Sequence, residues 1–197
     1  KEHAELLLEY IKEDKDPRWI FYLAQSYRDA QMYDESIKWY KKRVEIKTGY
    51  HEERYVSQLM IGTLKGLMKD PVDERITELA KCSMLDKNRA EHFTQMIQLY
   101  QSQKNWVMSY ALSKYAYDNL RENPYPKSRL FLNHDVYNKG ILDLHILSVS
   151  YLNKTYELKK LLPELEKRAH LFIDRERINR NIAFFKKQLG PVLSKQI

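Results

Sequence analysis

Cysteine is almost absent: Cys82 is the single one. No internal disulfide can form, and the chain suits a reducing, cytoplasmic compartment. Glycine and proline are also scarce, 5 and 6 in 197 residues, and alternating apolar runs are few. These shortages exclude turn-rich all-β architectures and point to an all-α protein. No apolar run approaches the roughly 18 residues that a membrane span requires, and no secretory signal opens the sequence. A glycine-rich phosphate loop is missing, and the histidines at 3, 51, 92, 134, 145 and 170 share no metal-ligand spacing. What is present is 43% hydrophobic, enough to bury a core as one domain. The net charge of +7 is spread along the chain in mixed-sign clusters. That balance is compatible with an acidic partner, although solvated helix faces account for most of it. The basic residues form no single stripe and no nucleic-acid reader motif, which argues against a nucleic-acid partner.

The pattern that organises the chain is PRWIFYLAQSYRDAQMYDESIKWYKKRVEI, residues 17–46. Counted from Pro17, Leu23, Ala24 and Tyr27 take the seventh, eighth and eleventh positions. Tyr33, Ser36 and Tyr40 take the seventeenth, twentieth and twenty-fourth. This is the spacing of a tetratricopeptide unit, two antiparallel helices in roughly 34 residues. Small residues are needed where the helices cross, here Ala24 and Ser36, and the tyrosines fill the wedge on either side. Two positions depart from the pattern: Gln31 stands at the turn glycine, and Arg43 where a small residue is expected. The spacing recurs from Ala90 with Met96, Ile97, Tyr100, Trp106, Ser109, Ser113 and Ala116. Leu59, Met60 and Thr63 fit the first helix of another unit, with Arg75–Leu85 as its second. A looser copy starts at Ser148 with Tyr156 at the aromatic position. Such a unit cannot bury its apolar face alone, so the expectation is a stack of α-hairpins in a right-handed superhelix of about ten or eleven helices. The competing reading is an irregular helical bundle with the same aromatics as ordinary core.

In chain order, residues 1–14 carry Ala4, Leu7, Leu8 and Ile11 on one stripe and read as the second helix of an incomplete unit. Pro17 stops it and starts the next. Gly49 is expected as a left-handed cap, and Gly62 and Gly66, on one face of a 51–69 helix, are expected to admit a close neighbour. NPYPK at 123–127 is the candidate boundary between sub-arrays in an otherwise single domain spanning 1–197. A last helix, 174–189, is expected to end at Gly190-Pro191, with Ile178, Ile182 and Phe185 inward and a wet outer face. The chain opens on Lys1 rather than Met, and we read it as a fragment of a longer one.

Four motifs occur in order: FYLAQSY at Phe21–Tyr27, YKKRV at Tyr40–Val44, RAE at Arg89–Glu91 and LFLNHDVY at Leu130–Tyr137. In this order they resemble the tetratricopeptide-like region that follows the catalytic domain in some family 2 glycosyltransferases of bacteria and large DNA viruses. The resemblance covers roughly residues 17–162. It implies a non-catalytic C-terminal module that positions the glycan acceptor or protein partners of an attached transferase. The Gly and Ala usual in that family are Gln31 and Lys159 here.

A transferase of that kind needs a nucleotide-sugar fold and a metal-holding Asp-x-Asp at a strand end. Asp14-Lys15-Asp16 has the letters but lies between helices, and reads as a solvated turn with capping carboxylates. No catalytic residue, metal site or cofactor is expected within these residues. His134-Asp135 lacks a nucleophile, and Cys82 shares an apolar stripe with Leu79 and Leu85, which suits a buried thiol.

A binding face is the stronger functional expectation. In tetratricopeptide units the second, fifth, ninth and twelfth positions of each first helix face the concave groove. From Pro17 these are Arg18, Phe21, Gln25 and Arg28; from Glu53 they are Arg54, Ser57 and Ile61; from Ala90 they are Thr94, Gln98 and Gln101. Arginines beside an aromatic suit a carboxylate, phosphate or acidic peptide. The bland alternative is that they only pair with neighbours such as Asp29 and Glu53. A free-standing adaptor for an acidic peptide or protein is therefore the second functional reading.

Overall fold

The structure, a computed structural model, describes residues 2–13, 16–121 and 130–193. The described residues hold eleven α-helical segments and no strand. In order they are α1 (Glu2–Glu13), α2 (Pro17–Asp29), α3 (Tyr33–Glu45), α4 (His51–Leu67), α5 (Val72–Ala80) and the single turn α6 (Cys82–Leu85). After these come α7 (Glu91–Ser102), α8 (Trp106–Asn119), α9 (Ile141–Tyr151), α10 (Thr155–Arg168) and α11 (Arg175–Leu193). A π-helical turn, Val136–Gly140, leads into α9, and a 3-10 turn, Ala169–Leu171, follows α10. The chain divides into two compact units: Lys1–His92 with Pro124–Leu132, and Phe93–Asn123 with Asn133–Ile197. The boundary expected at 123–127 lies outside the described residues.

Four hairpins repeat one turn geometry: α2–α3, α4–α5, α7–α8 and α9–α10. Each turn holds one residue in the left-handed region: Gln31 (φ 58°), Lys69 (φ 63°), Lys104 (φ 57°) and Asn153 (φ 53°). In the first, the Gln31 N–H donates to the Arg28 carbonyl at 2.8 Å and the Met32 N–H to that of Tyr27 at 2.9 Å. Lys69 and Asp70, Lys104 and Asn105, and Asn153 and Lys154 repeat this pair of bonds. This is the Schellman closure, which satisfies carbonyls orphaned at the helix end. Gln31 thus does the turn glycine's work despite its Cβ.

In the first unit, Asp16 caps α2 by accepting from the Arg18 N–H at 2.9 Å, and Pro17 opens the helix. This is the capping role expected of the acidic turn; Asp14 and Lys15 lie outside the described residues. The α2–α3 crossing is built as the spacing requires. Ala24 and Ser36 are fully buried, and the Ser36 hydroxyl donates to the Ala24 carbonyl at 2.8 Å. α1 packs Leu7 on Leu23, with Trp19, Tyr27 and Trp39 around them. Arg43 occupies a small-residue position by sending its guanidinium out of the crossing. Although fully buried, it donates to the Ile46 and Tyr50 carbonyls at 3.0 and 2.9 Å and to the Glu53 carboxylate at 2.9 Å. Every charge-bearing group in this buried pair has a partner, which is the condition for tolerating it. Gly49 is left-handed (φ +75°), as expected, because the 46–50 loop wraps this guanidinium: a Cβ there would stand 3.3 Å from Arg43 Nη2. It lies in the loop rather than at the end of α3. Gly62 and Gly66 do admit α5 closely, since added Cβ atoms would meet Leu79 and Arg75 respectively at 2.7 Å.

In the second unit, α9 is buried on nearly all sides, and each polar group on it is answered. Asp143 accepts from Arg177 at 2.8 Å, and Ser148 lies 2.6 Å from Ser109. Ser150 donates to Gln188 at 2.6 Å. His145 contacts Ser113 at 3.0 Å and Glu157 at 3.1 Å. The core joins α9, α10 and α11 through Ile146, Val149, Leu161, Leu165, Ile178 and Phe185, with Ile182 packed at its edge. Three expectations need correction. α11 does not stop at Gly190-Pro191 but runs to Leu193; a proline removes one backbone donor, and the last turn absorbs that loss. Tyr156 is not core but 75% exposed. Asn153 sets the hairpin's register, so Thr155, as first residue of α10, stands where Tyr33 and Trp106 begin α3 and α8. Tyr156 then falls one residue out of phase. Finally, the second helix expected over Arg75–Leu85 is broken at Lys81 into α5 and the turn α6.

Candidate functional site

The left-handed turn residues also fix which positions of each first helix share a face. Aligning Lys69 with Gln31 puts Val56 and Leu59, rather than Arg54 and Ser57, in the places of Arg18 and Phe21. The structure agrees. Ser57 and Ile61 are buried in the core of the first unit. Arg54 donates to the Val44 carbonyl at 2.9 Å, which ties it to the end of α3. Aligning Lys104 with Gln31 leaves Thr94, Gln98 and Gln101 where the spacing from Ala90 put them.

In the first unit, Gln25 and Arg28 of α2 face Val56, Leu59 and Met60 of α4 across a cavity of about 370 Å³. Phe131, from the stretch 124–132 that belongs to this unit, forms part of its wall. Phe21 is buried beneath it, with the two rings 6.2 Å apart. Arg28 is half-buried; its Nη2 lies 2.8 Å from Asp29 and its Nη1 3.9 Å from the Met60 sulfur. Arg18 is exposed at the start of α2, 3.6 Å from Glu53. Both arginines therefore have the neighbouring acids as partners. The Arg28–Asp29 pair is largely exposed and holds little free energy, so an incoming carboxylate can compete for it.

Behind this wall lies a buried polar cluster. Arg89 is fully buried and pairs with Glu91 at 2.8 and 3.3 Å. Its guanidinium stacks over the Tyr55 ring at 4.3 Å. His92 Nδ1 lies 3.0 Å from the Tyr55 hydroxyl and its Nε2 2.8 Å from that of Ser83, one ring nitrogen donating and the other accepting. Burial pulls the His92 pKa down to about 4, so the ring is neutral at physiological pH. Ser83 and His92 have the spacing of a nucleophile and its base. Yet His92 is fully buried with both nitrogens engaged, and no open face remains on which a substrate could sit. Cys82, next to Ser83 in the chain, is buried, and burial pushes its thiol pKa up, away from a reactive thiolate. Among the described residues no group of acids, histidines and cysteine could hold a metal ion.

In the second unit Gln98 is exposed and lines a smaller cavity of about 180 Å³ with Thr94, Asn133, Asp135 and Lys139. Gln101 does not face an opening. Its amide donates to the Leu144 carbonyl at 2.9 Å and to Ser148 at 3.1 Å, fastening α7 to α9. Of the seven residues singled out in the sequence, then, Gln25 and Arg28 converge on one cavity, with Phe21 buried under its Phe131 wall. Arg18 lies on the same helix, Gln98 belongs to a separate cavity, and Arg54 and Gln101 serve packing. The sequence missed Phe131, which walls the first cavity, and Glu52 and Arg89, which hold the main chain of Leu130 and Phe131. Arg89 and Phe131 lie in recognisable motifs, but nothing in one dimension says that those motifs meet.

The sequence matches no family model and no curated protein. Among solved structures, the chain is similar to the nearly identical TPR-like repeats of a protein of Podosopora anserina assigned as a kinesin light chain. The TM-score is 0.52 at 16% sequence identity, covering 91% of this chain and 89% of the other. At that identity the likeness is one of fold. The chain is an all-α, tetratricopeptide-like helical repeat protein. Among the described residues no helix is long and apolar enough to cross a membrane.

Proposed function

We propose that this chain is a non-catalytic interaction scaffold, a single helical-repeat domain whose first-unit groove takes an extended segment of a protein partner. The observation that carries the reading is the convergence of Gln25 and Arg28 with Val56, Leu59 and Met60 on one cavity of about 370 Å³, whose Phe131 wall rests on the buried Phe21. Apolar walls supply affinity there, and an amide and a guanidinium at the rim supply orientation. The test is to select displayed peptides on the wild type and measure them on Arg28→Glu. Acid-bearing peptides should be enriched and should lose at least tenfold in Kd, about 1.4 kcal/mol, while the Tm stays unchanged. Enriched peptides that bind both proteins equally would remove the groove from consideration.

The finer part of the proposal is that the scaffold follows a family 2 glycosyltransferase domain in a cytoplasmic protein and positions acceptor or partners for it. What supports it is the ordered motif set, two of whose members form polar joints in the first unit: Arg43, on α3, bonds the carbonyls of the α3–α4 loop, and Arg89, paired with Glu91, bonds that of Leu130. Sequencing the gene upstream of Lys1 tests it. Strand–helix alternation with an Asp-x-Asp supports attachment to a transferase; a start codon just before Lys1 replaces that reading with a free-standing adaptor.

A further inference from the structure

The groove of the first unit already holds a piece of its own chain. Leu130 donates its N–H to the Glu52 carboxylate. Its carbonyl accepts from Arg89 Nη1 at 2.9 Å, and the Phe131 carbonyl accepts from Arg89 Nη2 at 3.3 Å. Glu52 and Arg89 are both buried, so the clamp is fixed while the backbone it holds is borrowed from elsewhere in the sequence. These bonds read main-chain groups, and any peptide that presents the same groups satisfies them.

The occupant is not made like a permanent core residue. Phe131 has φ +50°, a conformation that costs a bulky side chain steric energy and that glycine or asparagine would take at less cost. Its ring remains 60% exposed although Phe21 and the cavity lie beside it. Nor does the occupant bring an acid to Arg28, whose carboxylate partner is Asp29 on its own helix. A competing peptide with an acidic residue gains a contact that the resident segment does not make.

We propose that Leu130–Phe131 is a displaceable resident of this groove. The external ligand is an extended segment of another protein with an apolar–aromatic pair and an adjacent acidic residue, which takes over the bonds to Glu52 and Arg89. The inference rests on the groove reading above and adds its ligand chemistry and its regulation. Because the resident must leave first, the apparent affinity equals the intrinsic affinity multiplied by the fraction of chains with an empty groove.

The experiment uses two fluorescein-labelled peptides: the chain's own residues 127–135, and the same peptide with residues 127–129 replaced by glutamates. Anisotropy is measured on the wild type, on Phe131→Pro and on Phe131→Gly. Proline fixes φ near −65° and cannot adopt the docked conformation, whereas glycine keeps it without the ring. The expected result is at least tenfold tighter binding of the acidic peptide to Phe131→Pro than to the wild type, and tighter binding to Phe131→Pro than to Phe131→Gly, which keeps the docked backbone. Equal binding to all three would overturn displacement and leave the groove reading standing. No binding of either peptide to any of the three, at millimolar concentration, would sink both. Should Phe131→Pro fail to fold, hydrogen exchange at the Leu130 amide of the wild type decides the matter. Saturating acidic peptide must accelerate that exchange, and unchanged protection refutes the proposal.

Discussion

Gly62→Ala and Gly66→Ala make the same chemical change one helical turn apart on α4, and the structure separates their outcomes. In a helix interior the exchange gains about 1 kcal/mol of propensity at either site. At Gly62 the new methyl would stand 2.7 Å from both Leu79 Cδ2 and Cγ, with the Leu79 backbone nitrogen at 3.5 Å. Leu79 is fully buried and cannot swing aside, so α5 has to move. Overpacking of that kind costs about 1–3 kcal/mol, which leaves Gly62→Ala neutral to about 2 kcal/mol less stable. At Gly66 the obstacle is the Arg75 guanidinium, at 2.7 Å from Nη2, the far end of a side chain that can turn away. Most of the propensity gain survives there. The two variants should therefore differ by about 2 kcal/mol, which in a chain of this size is about 4–8 °C in Tm. Urea unfolding followed by far-UV circular dichroism gives the difference directly. Equal shifts in the two variants, in either direction, would show that α4 and α5 do not approach along this glycine face.

Stability should also fall as the pH drops below 6.5. The His92 pKa drops from 6.5 to about 4 on folding because burial penalises the charged ring. The unfolded chain thus binds the extra proton first, and stability is lost as pH falls from 6.5 towards 4. The loss reaches about 3 kcal/mol at the lower end, and burial of His145 acts in the same direction. Urea midpoints measured from pH 7 to 4 should decline in the wild type and decline less steeply in His92→Gln; a wild-type midpoint that stays level would refute the assignment. The left-handed turns give a third prediction: Gln31→Gly, Lys69→Gly and Lys104→Gly should each stabilise by about 0.5–1 kcal/mol, and Asn153→Gly by less. Thermal melts of the single variants test this, and glycines that lower Tm would contradict the turn geometry.

Most of the fold was legible because tetratricopeptide spacing is a steric rule about helix crossings, and Ala24, Ser36, Ser109 and Ser113 obey it in three dimensions. What hid was whatever depends on a turn's conformation. Gln31, Lys69 and Lys104 do not announce positive φ, so counting from Glu53 instead of from the turn put Arg54, Ser57 and Ile61 on the wrong face of α4. The same lack of a turn marker let Tyr156 pass for a core aromatic. Arg43 looked like a violation because its solution lies in a loop wrapped around its guanidinium. The site was half visible: Phe21, Gln25 and Arg28 follow from helical periodicity, whereas Phe131 reaches them across more than half the chain.

That long reach also sets a timetable. A ribosome makes Glu52 and Arg89 well before Leu130 and Phe131. At 5–20 residues per second, the roughly forty residues after Glu91 take about 2–8 s. For those seconds Phe21 has the rings of Tyr22 and Tyr40 available to it but not that of Phe131. The newborn chain therefore lacks the resident altogether, whereas in the finished protein the resident has to be displaced. A peptide offered to ribosome-bound chains before Phe131 is made meets α2 and α4 without the Phe131 wall.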